Sequence, residues 1–161
     1  MIRIIPGLMV VMMACNAGKQ EQAAPAPQKL VGADRSAEGC IGSAGYVWSR
    51  VKDSCIRPFE QGSPFYAYNP ATGVVDSSSA TYLVLSATGD SAELFFSITE
   101  KPAMMKAVPV MEGETMPVLY EDSVEMVKLR YYRDTYQILY QDSIRYIQFA
   151  SAPKALKLPT R

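Results

Sequence analysis

The sequence predicts a mainly β (α+β) fold: a small antiparallel β-barrel or curled meander with one short N-terminal helix. Three observations carry this expectation. From residue 80 onward, short runs rich in β-branched and aromatic residues repeat, with turn chemistry between them. The chain has 161 residues, enough for one domain with a core and too few for two once its atypical ends are set aside. Hydrophobic residues make up 48% of it, which favours folding over disorder even though the apolar N-terminus and the Tyr and Met content raise that figure.

The first element, residues 1–15, is MIRIIPGLMVVMMAC. One positive side chain, Arg3, is followed by an apolar run from Ile4 to Met13 that stops at Ala14-Cys15. That is the build of an export signal, and the run is too short to stay in a bilayer as a spanning helix. Pro6 and Gly7 weaken a helix further. Met12-Met13-Ala14-Cys15 resembles the lipobox of bacterial lipoproteins, in which a small residue precedes a cysteine that is lipidated and becomes the new N-terminus. Met12 stands where that family usually has Leu. The resemblance implies a lipid-anchored cell-envelope protein with its lipid on Cys15. With Asn16 rather than Asp next, it also implies an outer-membrane destination. Ordinary signal cleavage near Ala17, with Cys15 discarded, is the competing reading. Residues 16–36 open with NAGKQEQAAPAPQ, a polar, Ala/Pro-rich stretch that cannot bury a core and suits a tether. Each buried CH₂ of an acyl anchor would contribute about 0.8 kcal/mol.

The single domain is expected over residues 37–152. With Cys15 assigned to lipid, Cys40 and Cys55 remain in a compartment where disulfides persist, and they are expected to pair. A loop of about 15 residues is worth roughly 3 kcal/mol in chain-entropy reasoning. The alternative, two thiols holding a metal, lacks a ligand set because the chain has no histidine. Around them runs GCIGSAGYVWSRVKDSCIRPFEQG, residues 39–62. Gly39, Gly42 and Gly45 supply tight turns, and Tyr46 and Trp48 alternate as on a short strand. Ser49 can cap a helix in which Val51, Cys55 and Phe59 fall at four-residue spacing, with Pro58 ending it near Arg57. The expectation is strand, cap and a two-turn helix clasped to the preceding loop by the disulfide.

This segment resembles a motif of uncharacterised bacterial lipoproteins. Their pattern of Cys, Ser-Ala-Gly-Tyr, one residue, Trp-Ser and later Cys-Ile-Arg with Phe-Glu is carried here by Cys40, Ser43, Ala44, Gly45, Tyr46, Trp48, Ser49, Cys55, Ile56, Arg57, Phe59 and Glu60. The resemblance supports the cysteine pair and implies no activity. Related versions have a cysteine directly after the Trp, where this chain has Ser49. Tyr46, Trp48 and Arg57 are the candidate partner-contact residues, an aromatic and cationic patch. The structural reading is favoured over the functional one: a Trp beside a disulfide plugs a small core, and Arg57 pairs with Glu60 or stacks on a ring.

Residues 61–79, with their Gly, Pro, Asn and Ser, read as a long loop over the barrel end. Seven strand-like runs follow at 80–86, 92–98, 103–111, 115–120, 125–132, 135–140 and 143–150. Ala87-Thr88-Gly89-Asp90, Glu112-Gly113-Glu114, Arg133-Asp134 and Gln141-Asp142-Ser143 supply turns, and Pro109 marks an edge or bulge. Tyr136, Ile138 and Tyr140 share one face of their strand, as do Ile144 and Tyr146 of theirs. Residues 153–161 lack periodicity and read as a loose, solvated tail.

Composition excludes much chemistry. The 16 basic and 16 acidic side chains cancel, so no long-range field gathers nucleic acid. Without histidine the commonest general base, the usual zinc ligands and the Ser-His-Asp and Cys-His arrangements are missing. No cofactor motif occurs, and VDSSSAT around Asp76 fits a Ser-rich turn better than a calcium loop. Ser43 or Ser49 as nucleophile would have only Lys52 nearby, and Glu112, Glu114, Glu121 and Asp122 sit in apparent turns. No catalytic or metal residue is assigned. The leading expectation is a non-enzymatic envelope binding or structural module, with the membrane through Cys15 and an envelope protein or cell-wall component as partners. The alternative is an inhibitor of a cell-wall-degrading or proteolytic enzyme, by architectural analogy with the membrane-bound lysozyme inhibitors.

Overall fold

The computed structural model describes residues 35–96 and 101–158. Cys15, the signal-like run and nearly all of the tether lie outside the described residues.

The described chain starts with a 3-10 turn, Gly42–Ala44, and a hairpin of β1 (Val47–Ser49) and β2 (Ser54–Ile56). A single helical turn, α1 (Pro58–Gln61), follows. Eight strands then close a barrel: β3 (Ser63–Asn69), β4 (Val74–Leu85), β5 (Ser91–Phe95), β6 (Ala103–Ala107), β7 (Val118–Asp122), β8 (Val127–Tyr132), β9 (Thr135–Tyr140) and β10 (Ser143–Phe149). Each is antiparallel to the next, and β10 returns to β3 through Tyr146 with Ala67 and Ile147 with Tyr66. Closure satisfies both outer edges of a meander that would otherwise be left unpaired.

Three expectations are corrected. The helix does not run from Ser49 to Arg57; Val47 to Ser49 pair with Ile56 to Ser54 as a hairpin instead. The reason lies in Pro58, which restricts the residue before it to extended backbone and itself fits the first helical position. Arg57 is extended at φ −101, ψ 107, and the helix begins at the proline rather than ending there. Residues 61–79 are not a loop: they hold β3 and the first half of β4, and Phe65 is 0% exposed. The Ser-rich part is a bulge in β4, because Tyr66 pairs with Ala80 while Ala67 pairs with Asp76. Hydrogen bonding from the Ser78 side chain, and from its N–H at 2.9 Å, holds the Asp76 carboxyl below the usual range there. Finally, the tail is not loose over its described part. Leu156 is buried in the barrel core, and its N–H donates to Gln148 Oε1 at 2.7 Å.

Alternation along the strands sets the interior. Phe65, Leu83, Leu94, Met105, Tyr120, Leu129 and Ile138 are each at most 1% exposed and form one cluster with Leu156. Small eight-stranded barrels are filled in this way by their inward side chains. Tyr136 and Tyr146 pack on the cluster beside Ile138, whereas Tyr140 is exposed. The turns are built as their residues suggest. Arg133-Asp134 and Gln141-Asp142 are two-residue links with φ between 45 and 59°, the left-handed arrangement that matches strand twist. In the 86–90 turn, Asp90 accepts Ser86 Oγ at 2.7 Å and Ser91 Oγ at 2.9 Å, bonds that lower its pKa.

Candidate functional site

The N-terminal hairpin lies against the outside of the barrel. On β5, Ala92 and Leu94 face inward, so Glu93 and Phe95 face outward; on β4 the same alternation sends Tyr82 and Val84 out. Ile56 of β2 is buried with Val84 and Phe95, and Val51 packs beside them. The chain then crosses onto β4 at Gly62, where a Cβ would stand 2.7 Å from the Pro58 carbonyl oxygen and 3.0 Å from Tyr82 Cβ. Only glycine permits that approach.

Two devices fix the hairpin. Cys40 and Cys55 form a disulfide with Cα atoms 5.5 Å apart, tying the 3-10 turn region to β2. Arg57 donates from Nε to the Ala44 carbonyl at 3.0 Å and from Nη1 to Glu60 Oε1 at 2.9 Å, and its guanidinium lies 4.5 Å over the Tyr46 ring. The bond to Glu60 raises the Arg57 pKa further above its ordinary value. Both partners foreseen for Arg57, the carboxylate and the ring, are therefore engaged at once.

Beneath the hairpin sits a fully buried carboxylate. Glu93 is 0% exposed; its Oε2 accepts Ser49 Oγ at 2.7 Å and the Val51 N–H at 3.5 Å. Its Oε1 has no hydrogen-bond partner. Arg50 Nε is 3.7 Å away, close enough for charge attraction and too far for a hydrogen bond. The Arg50 side chain is half exposed, and its Nη2 donates instead to the Pro102 carbonyl at 3.1 Å.

Glu93 and Arg50 border a groove of about 1110 Å³ between the N-terminal segment and the barrel wall. Tyr46, Trp48, Phe59, Tyr82 and Phe96 supply aromatic lining, and Arg35, Glu38 and Lys101 add charge. Of the three candidate contact residues, Tyr46 and Trp48 border this groove, and both are half-buried. Arg57 is turned to the structural contacts above. Ser49, considered as a nucleophile, is 0% exposed; its hydroxyl donates to Glu93 and accepts the Lys52 backbone N–H at 3.3 Å. Asp122 accepts the Val124 and Glu125 N–H groups at 2.9 and 3.3 Å, which makes it a turn device. Among the described residues, no three His, Cys, Asp or Glu side chains gather as a metal site, and no helix is long and apolar enough to cross a membrane.

Glu93 and Arg50 escaped the sequence reading. A single charge inside AELFFSI looks like one more solvent-facing position of an alternating strand, and only docking of the hairpin buries it. The available signal was that Glu93 stands between Leu94-Phe95-Phe96 and Ala92, a lone charge among apolar neighbours. Compared with known protein families, curated proteins and solved structures, the chain shows no match.

Proposed function

We propose that this chain is a non-enzymatic binding module of the cell envelope, held to a membrane, with the outer membrane as its destination, by lipid on Cys15, and that the groove beneath the disulfide hairpin is its contact site. The observation that carries this reading is the buried Glu93 carboxyl group, one oxygen of which has Arg50 nearby and no hydrogen bond, at the edge of an aromatic groove. Binding sites combine largely apolar walls with a few placed polar groups. The lipobox-like Met12-Met13-Ala14-Cys15 and the Ala/Pro-rich stretch after it support the anchor and tether. The absence of histidine supports a role other than hydrolysis.

Two measurements test the reading. Metabolic labelling with an alkyne fatty acid should mark the wild-type chain and not Cys15→Ser, which should leave the membrane fraction; an unlabelled wild-type chain overturns the anchor. Capture from envelope extract should fall when Tyr82, exposed to the groove, becomes Ala in a folded chain. Capture of the same partners by wild type and Tyr82→Ala places binding elsewhere. If the captured partner is a lysozyme or a protease whose activity the chain suppresses, the inhibitor reading replaces the general one.

A further inference from the structure

We infer that the groove takes a neutral saccharide, whose ring lies against the aromatic lining while its hydroxyls bond to Glu93 and Arg50. This rests on the binding-module reading and names the ligand class for the same site.

The argument starts from Glu93 Oε1, a carboxylate oxygen buried without a donor. A buried polar oxygen left without a hydrogen bond costs free energy, and a donor arriving from the groove would recover it. Arg50 lines the same groove 3.7 Å from this oxygen, and it is half exposed and bonded elsewhere, to Pro102. A carboxylate that accepts next to a guanidinium that donates matches a pair of adjacent hydroxyls, one giving its hydrogen and the other receiving.

Charge decides among ligands that could supply a donor. Arg35, Arg50 and Lys101 border the groove with Glu38 and Glu93, so both signs are present. Three cations and two carboxylates set close together give a charged ligand of either sign both attraction and repulsion, and a neutral polyhydroxyl compound can bond to both signs without bringing a like charge against either. Tyr82 and Trp48 line the groove with apolar surface that suits the C–H face of a pyranose. At about 1110 Å³ the groove has room for more than one ring, since small-molecule sites run from about 300 to 1,000 Å³.

The test uses the detergent-solubilised mature chain and its single tryptophan, Trp48, as reporter. Probes are the N-acetylglucosamine trimer and maltotriose as neutral saccharides, a heparin hexasaccharide as anion and tetramethylammonium as cation. Saturable change in Trp48 fluorescence is expected with at least one neutral probe, with Kd below about 10 mM. Glu93→Gln should weaken that probe about tenfold. If Glu93→Gln fails to fold, Arg50→Ala, at an exposed position, should weaken it about fivefold. No saturable response to either neutral probe at about 10 mM overturns the inference. So does preference for the anion or the cation, or an unchanged Kd in every folded variant of Glu93, Arg50 and Tyr82. Tyr82-dependent capture of an envelope protein without saccharide binding overturns this inference alone and leaves the binding-module reading standing.

Discussion

Glu93 and Leu94 are neighbours on β5 and both are fully buried, yet they belong to two differently built regions. Leu94 points into the barrel, where large side chains fill the space and the polar groups are met. Tyr120 donates its hydroxyl to the Gly89 carbonyl at 2.8 Å, and Gln148 donates to Pro64 and Lys154 while accepting from Leu156. Glu93 points outward beneath the hairpin, where the covering layer is a pair of three-residue strands, one helical turn and a disulfide. There a carboxylate keeps one oxygen without a donor. The inner region is organised for stability alone, and the outer one gives up some of it at a polar position, which is where binding sites are found.

The comparison can be broken most severely from inside. Phe65→Ala should lower unfolding free energy by about 3–5 kcal/mol in urea titration, because it empties a site 0% exposed. A loss under about 1 kcal/mol would deny the interior its dominant role. Removing the clamp with Cys40→Ser and Cys55→Ser should cost roughly 3 kcal/mol, seen as faster amide exchange over residues 40–61 while the barrel amides stay protected. Equal acceleration in both regions would make them one cooperative unit. Leu156→Ala should cost about 2 kcal/mol by the same denaturation, and a tail as mobile as its sequence suggested would cost nothing. At the barrel surface, Gln141→Asn should add a few tenths of a kcal/mol, since Gln141 sits at φ 48° in a turn that favours Asn.

The smallest effect is electrostatic. Lys128 Nζ bonds Asp142 Oδ1 at 2.8 Å, lowering the Asp142 pKa and raising that of Lys128. The Asp142 contribution is present above its unfolded pKa of about 3.9 and fades as pH falls through the lower folded value. That of Lys128 is complete below about 10.4 and fades as pH rises through its higher folded value. Between about pH 5 and 9, Asp142→Asn should therefore shift the midpoint by a constant, salt-sensitive amount; a midpoint difference that varies inside that window would refute the assignment.

Periodicity carried the sequence reading where one strand's pattern was enough. The seven runs after residue 80 match β4 to β10 in order, and the two-residue turns fall where Arg133-Asp134 and Gln141-Asp142 stand. It failed where a partner distant in sequence decides. Ser63 to Asn69 look like loop until Phe65 is seen inside a barrel that β10 must close, and Leu156 has no periodic neighbours because it acts as a plug. Four-residue spacing at Val51, Cys55 and Phe59 imitated a helix, although Pro58 was the stronger signal. For the groove, Tyr46 and Trp48 were legible from alternation and the cysteine spacing. Glu93 was not, because an outward charge on a strand is buried only by a layer from elsewhere in the chain.

The seam between β3 and β10 joins the first and last strands of the barrel, and an amide side chain stitches it beside the backbone pairing. Gln148 reaches across to the Pro64 carbonyl and holds Leu156 over the opening. A chain cut short before these residues would expose two raw sheet edges at once, a template for self-association. Loss of the residues from Ser143 onward, which removes β10 and Gln148, should thus show itself as insoluble aggregate rather than as a soluble, weakened domain.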